Sequence, residues 1–343
     1  MSLFTHRDAF ADYAAIPSTL QAEREPAGGV RPLVTIAIPT YRRPDELMEA
    51  IASALAQATD VPFEILVVDN DPDPQASAAI AARLPQSPRV GLRYYCNAEN
   101  IGMFGNWNRC IELARGDWVT LLNDDDLLRP EYLPQTMDMI SRRPEIDGIV
   151  CSKGYHYRSD EYRHPEATGV KARLWRRAKK LRFDRHGLAP VTPRNMFFGL
   201  ELGNGLGFLF RRDAAIKLGG YYPEDFPMSD GYFYVRYCVR HRLFWTHRIL
   251  ADIGIGENES MRPETLDGAI YKLKILRESL LGRYVPASWR RLLPQLVANS
   301  IRDAQRLWKV ELDKEKFERD FGMTIPEPNY RKVTAFRLAH RAY

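Results

Sequence analysis

Between Leu33 and Leu122 the chain alternates four times between a short apolar run and a segment with apolar residues at helical spacing. The runs are "LVTIAI" (33–38), "FEILVV" (63–68), "VGLRYY" (90–95) and "DWVTLL" (117–122). The first two are continuous and β-branched, as expected of strands buried on both faces of a sheet. Between the runs, "DELMEAIASALAQ" (45–57), "QASAAIAARL" (75–84) and "MFGNWNRCIELARG" (103–116) predict helices, the last closed by Gly116. Such alternation predicts an α/β chain built on a mostly parallel, Rossmann-like sheet flanked by helices.

In sheets of this kind ligands sit beyond the carboxyl ends of the strands. The unusual loops all fall there: "PTYRRP" after the first strand, "DNDPDP" after the second, "CNAENIG" after the third and "NDDD" after the fourth. Asp124, Asp125 and Asp126 adjoin one another between two pairs of leucines. Like charges so close are tolerable only if solvated or met by something positive. A solvated turn capping a helix near Pro130 would account for them, but their place directly after a buried strand favours a ligand site. No GxxxxGK[ST] loop is present, and the first strand runs into Pro39-Thr40-Tyr41 rather than a GxGxxG turn. The Gly203, Gly205, Gly207 series is not placed to open a helix. Phosphate would then be neutralised by a divalent cation on carboxylates, and Mn²⁺ or Mg²⁺ suits Asp oxygens.

The four cysteines are far apart and lack metal-type spacing, so they read as reduced thiols of a cytosolic protein. No secretory leader pattern opens the sequence, and no apolar run reaches the roughly eighteen residues of a transmembrane helix. The net charge of +5 is uneven: nine Lys or Arg stand against Asp184 alone between Val170 and Arg194. Within that block Val170, Leu174, Ala178 and Leu181, extended by Trp175, form one helical stripe beside a cationic face. Such a stripe suits either an anionic membrane interface or packing on the protein's own core. No motif of a nucleic-acid-binding fold appears, so nucleic acid is not expected as a partner.

Four segments, "VTIAIPTYRRPDELMEAIASALAQ", "FEILVVDND", "NAENIGMFGNWNRCIELARGDWVTLLNDDDLLRPEYL" and "SDGYFYVRY", occur in an order and at spacings that resemble glycosyltransferase family 2 over roughly residues 33–245. The resemblance implies a GT-A fold with a C-terminal helical extension and inverting transfer of a sugar from a nucleotide-sugar donor, with Mn²⁺ or Mg²⁺ as cofactor. It implies an N-terminal arm and linker (1–32) and a transferase domain (33–260). That domain divides into a donor half (33–126) and an acceptor half (127–260) carrying the basic insert 170–194. A helical region (261–343) follows. By the same resemblance Pro39, Thr40 and Tyr41 line the base pocket, Asp69 and Asn70 hold base and ribose, and Asn100, Gly102 and Asn108 shape the nucleotide site. The family's DxD metal motif falls on Asn123-Asp124-Asp125, so Asp125 is the principal metal ligand, with Asp126 beside it. Asp230 of "SDGYFYVR" takes the place of the catalytic base, and helix capping is its structural alternative.

The departures are Asn123 for the first acid of the metal motif, Asn70 where many relatives carry Asp, and Ser229 for the Glu before Asp230. His247 is a poor candidate for a late metal ligand. The QxxRW signature of processive synthases is absent, which favours one sugar per acceptor. The implied acceptor is a glycan or lipid-linked oligosaccharide in surface polysaccharide biosynthesis. The implied location is cytoplasmic or peripheral at the inner face of the plasma membrane, reached through 170–194 and the C-terminal region. An inactive glycan-binding scaffold on the same fold and a sugar-phosphate nucleotidyltransferase are the competing readings. Donor sugar, linkage and oligomeric state stay open.

Overall fold

The computed structural model describes residues 3–25, 29–158, 183–199, 202–256, 263–308 and 310–339. The four apolar runs form β2 (Val34–Thr40), β3 (Phe63–Asp69), β4 (Gly91–Asn97) and β5 (Trp118–Leu121). They lie in the order β4-β3-β2-β5, all parallel. Helices α1 (Pro44–Leu55), α2 (Pro74–Arg83) and α3 (Gly102–Leu113) connect them. Successive strand side chains point to opposite faces. Thus Val34, Ile36, Ile38, Ile65 and Val67 meet Leu47 and Ile51 of α1 and Ile80 of α2 on one face. Ala37, Leu66, Val68 and Val119 meet Cys110 and Ile111 of α3 on the other. With both faces covered, most strand positions must be apolar, which is why the runs are nearly continuous, and the polar exceptions pair with one another.

Beyond β5 the sheet takes up strands that the alternation does not foretell. β9 (Phe208–Arg211) runs antiparallel between β5 and β7 (Gly148–Tyr157), and β10 (Leu243–Ile255) lies parallel to β7. Short strands β6 (Leu127–Leu128) and β8 (Leu188–Pro190) pair antiparallel with β10. At the opposite edge β1 (Ser18–Arg24) pairs antiparallel with β4. The N-terminal segment therefore contributes a sheet edge, preceded by a 3₁₀ turn at Ala11–Tyr13. Arg109 of α3 anchors it, donating to the carbonyls of Tyr13 and Ile16 at 2.8 and 2.9 Å.

Helix α4 (Tyr132–Arg142) covers the α1 face, while α5 (Pro193–Phe198), α6 (Arg212–Lys217) and α7 (Ser229–Cys238) cover the other. The C-terminal helices are α8 (Pro263–Leu280), α9 (Leu293–Trp308), α10 (Lys314–Phe321) and α11 (Tyr330–Ala339). Leu266 and Ile270 of α8, Val297 and Ile301 of α9, and Phe317 of α10 form a small core of their own. Leu276 and Leu280 join the main core beside Phe197, Phe198 and Trp289. Among the described residues no helix is long and apolar enough to cross a membrane. All four cysteines are free thiols. The stripe from Val170 to Leu181 lies outside the described residues. The end of the same basic block is folded in: Leu188–Pro190 forms β8, and Asp184 pairs with Arg143 at 2.7 Å.

One buried ion pair ties the amino ends of the central strands together. Glu64 accepts from Arg93 Nε and Nη2 at 2.9 and 3.0 Å, from Thr35 Oγ1 at 2.7 Å and from the Arg115 amide at 2.8 Å. Removing one partner of such a pair strands the other charge. Arg93→Met is expected to cost about 3–5 kcal/mol. Adding Glu64→Gln should recover part of it, as read from urea unfolding.

Candidate active site

The four polar loops meet at the carboxyl edge of β4-β3-β2-β5. The acidic turn follows β5 and is closed by the Asp126 amide donating to the Asn123 carbonyl at 3.1 Å. Each carboxylate has a different partner. Asp124 accepts from Thr40 Oγ1 at 2.9 Å and from Arg43 Nη1 at 3.4 Å. The same Arg43 nitrogen lies 3.0 Å from Asp125 Oδ2. Asp126 turns inward and is only 2% exposed. Its two oxygens accept from the Gly254 amide at 2.9 Å and from Asn123 Nδ2 at 3.1 Å. Asp126 therefore braces the turn, while Asp125 is its most exposed acid. The turn also presses on β10: a Cβ at Gly254 would lie 1.8 Å from the Asp125 carbonyl oxygen. Only glycine permits that approach.

Burial and the neighbouring Asp125 push Asp124 up to about 6, against the pull of Thr40 and Arg43. The same two causes push Asp126 upward. A cation is thus electrostatically welcome, and Arg43 already supplies part of one. Next to it Arg42 adopts φ 56°, an unusual conformation for a residue with a side chain. Its Nε donates to Asp71 at 3.0 Å, and its guanidinium lies 5.0 Å from the centre of the Tyr41 ring.

The other residues singled out in the sequence divide into an inner and an outer set. Pro39 and Thr40 are buried at the end of β2, and Tyr41 is exposed beyond them. Asp69 is buried, and its oxygens accept from Tyr94 Oη at 2.8 Å and the Asp71 amide at 2.9 Å. Asn70 is buried too and knits the loops together. Its Nδ2 donates to Asn100 Oδ1 at 2.6 Å and the Gly102 carbonyl at 3.3 Å; its Oδ1 accepts from Asn97 Nδ2 at 3.1 Å and the Ile101 amide at 3.0 Å. Asn100 and Gly102, the latter at φ 72°, shape an exposed turn before α3. Asn108 lies deeper. Its amide exchanges two hydrogen bonds with the backbone of Tyr221, at 2.9 and 2.8 Å, fixing the approach to α7.

Asp230 is the second residue of α7, with Met228 at the N-cap. It is half-buried, and its Oδ1 has no hydrogen-bond partner among the described residues. Burial raises its carboxyl to about 6, with Lys153 of β7 pulling the other way. Lys153 also feels the charge of Asp126, so one ammonium stands near both the acidic turn and Asp230. His247 sits seven residues before Gly254 on β10, about 20 Å back along the strand. It packs beside Phe183, ring centres 4.9 Å apart. Sequence reasoning missed Arg43, whose signal was the "RR" after the first strand, and Lys153, which lies in no motif.

Over residues 35–218 the chain matches glycosyl transferase family 2; it belongs to that family and is a glycosyltransferase. It is similar, at 28% identity over 282 residues and 81% of either chain, to "Uncharacterized protein MT1568" of Mycobacterium tuberculosis. It is also 28% identical over 202 residues, 58% of each chain, to "Succinoglycan biosynthesis protein ExoM" of Rhizobium meliloti. TarS 1-349 of S. aureus in complex with UDP-GlcNAc shares the fold with TM-score 0.56 and 16% identity, covering 85% of this chain and 81% of that one. The mannosyltransferase PcManGT from Pyrobaculum calidifontis, in complex with GDP-Man and Mn²⁺, does so with TM-score 0.52 and 16% identity, covering 91% and 84%.

The raised acids carry a sign. A carboxyl whose folded value lies above its unfolded value of about 3.9 favours folding at low pH, and that contribution is lost as pH rises through the folded value. For Asp124 the window is about pH 4 to 6. Asp126→Asn keeps the shape and removes one repelling charge. With chelator present, the variant's unfolding temperature should exceed that of wild type at pH 7.5 and converge on it near pH 4.5. A variant less stable at pH 7.5 would mean that the Asp126 charge itself holds the turn.

Proposed function

We propose that this glycosyltransferase moves one sugar at a time from a nucleoside-diphosphate sugar to a hydroxyl of a glycan or lipid-linked oligosaccharide, inverting the anomeric carbon. The reading rests on the acidic turn, open at Asp125, together with the half-buried carboxylate of Asp230, raised to about 6 and, like the turn, within reach of the Lys153 charge. A pKa near the working pH suits a group that must be ionised yet basic enough to accept a proton.

The donor set fits Mn²⁺ or Mg²⁺. Among the described residues no group of three or more His, Cys, Asp or Glu is arranged to hold a metal. Mg²⁺, however, is commonly held by one or two carboxylates with substrate phosphates completing the shell. Asp125 and Asp124 would supply the carboxylates, where Arg43 now bridges them, and Asp126 would hold the turn. When bound, the cation neutralises charge developing on the departing diphosphate.

The chain's own residues do the rest. Tyr41 and the Asn100–Gly102 turn flank the nucleoside, and the buried Pro39, Thr40, Asp69 and Asn70 fix the pocket wall. Asn108 supports it from behind through Tyr221. Asp230 takes the proton of the attacking hydroxyl, worth roughly 10² to 10⁴ in rate. A lone carboxylate on the acceptor side supports a single displacement and hence inversion. The name of the Rhizobium meliloti relative supports a role in polysaccharide biosynthesis. The basic block 170–194 and the C-terminal helices would meet an anionic membrane surface carrying the acceptor. Co-sedimentation with anionic vesicles, weakened by salt, is the expected result, and equal binding to neutral vesicles would discard that part.

Release of nucleoside diphosphate from a panel of nucleotide sugars, with and without Mn²⁺, tests the whole reading. Asp125→Asn should abolish both turnover and Mn²⁺-enhanced nucleotide binding. Asp230→Asn should leave binding near normal and lower turnover by about 10² or more. Wild-type turnover in either variant would remove that residue from its role.

A further inference from the structure

We infer that Lys153 is a positioning residue for the acceptor side: its ammonium pins the Leu202–Asn204 turn and holds the Asp230 carboxylate against Gly205. The inference rests on the reading of Asp230 as proton acceptor. Lys153 lies opposite Ala251 in the β7–β10 register, three residues before the Gly254 that touches the acidic turn. It is thus built on the same strand pair that clamps Asp125. Its Nζ donates to the carbonyl oxygens of Leu202 and Asn204, the second at 2.8 Å. The Asn204 carbonyl also accepts from Tyr234 Oη at 2.8 Å. Tyr234 is one helical turn past Asp230 on α7, so the Lys153–Asn204–Tyr234 chain links β7 to the helix that carries Asp230.

The glycine series of this turn serves the same purpose. Gly203 adopts φ 71°, and a Cβ there would lie 3.7 Å from Lys153 Nζ. A Cβ at Gly205 would lie 2.6 Å from Asp230 Oδ1. A side chain there would push the carboxylate away. Gly203 is therefore required by its backbone conformation and Gly205 by its closeness to the acid.

Electrostatics point the same way. The groups facing Asp230 are Lys153 from β7, the phenols of Tyr221 and Tyr234, and the Gly205 backbone. Lys153 is the one cation among them, and Asp126 acts on it from the acidic turn. Without that charge, burial would carry Asp230 further toward its neutral form. Lys153 thus does two separable things: it caps two carbonyls and it lends charge to Asp230.

A double-mutant cycle separates them. Thermal and urea unfolding are measured at pH 5 and pH 7.5 for wild type, Lys153→Met, Asp230→Asn and the pair. If Lys153 acts on Asp230, Lys153→Met loses at least about tenfold more in the folding equilibrium constant at pH 7.5 than at pH 5, since an opposite charge is worth a pKa unit or more. Asp230→Asn in that background removes the part of the pH dependence that runs through Asp230, and what is left runs through Asp126. Lys153→Gln, which keeps a donor for the carbonyls without the charge, shows the same pH-dependent loss if the Met variant does not fold. Lys153→Arg should retain wild-type behaviour. A loss indifferent to Asp230→Asn, whether equal at both pH values or pH-dependent through Asp126, would overturn the inference and leave Lys153 a carbonyl cap. Because the cycle reads folding rather than turnover, it stands apart from the base assignment, which fails separately if Asp230→Asn alone keeps wild-type release of nucleoside diphosphate.

Discussion

Three carboxylates at the end of a buried strand repel one another, and the surrounding structure is arranged around that repulsion. Each acid is relieved in its own way. Asp126 is sunk against the Gly254 amide, Asp124 is held by Thr40, and Asp125 shares Arg43 with Asp124. Removing solvent from such a cluster raises its carboxyls, so the ionised turn is held at a cost. A ligand that brings positive charge relieves that cost. The turn's preference for positive charge thus comes from the crowding of its carboxylates rather than from any preformed cage.

Close backbone approach is the second device. Gly254 lets β10 press on the acidic turn, and Gly205 lets the 202–205 turn press on Asp230. At each place one methyl group would separate a functional carboxylate segment from the strand or turn that locates it. These glycines act through van der Waals exclusion. Positive φ matters at Gly203 but not at Gly205 or Gly254.

The parallel half of the sheet was legible because its physics is local. Strands covered on both faces must be largely apolar, and β2 and β3 declare this in runs of Ile, Val and Leu interrupted only by paired polar residues. β9, β10 and the edge strand β1 were not legible from that pattern. β10 is covered unevenly and alternates buried with half-exposed residues, and β1 is largely exposed on an edge. Their pairing is decided by distant partners rather than by their own periodicity. The same division runs through the site. The acidic turn and Asp230 stood out because charge after an apolar run, or inside a resembling motif, is visible in one dimension. Asp126 could not be told from its neighbours, since three consecutive Asp differ only in which way the turn points them. Lys153 was invisible, because a lone lysine in a strand reads as a solvated residue until the turn that it pins is folded over it.

The two basic residues nearest the carboxylates then divide the electrostatic work by exposure. Arg43 is partly in water and bridges two acids at 3.0 and 3.4 Å, an arrangement screened and easily exchanged. Lys153 is tied by two carbonyls and desolvated enough to lower its own pKa to about 8. The acidic turn is therefore met by a partly solvated cation, and the neighbourhood of Asp230 by a desolvated one that two carbonyls hold in place.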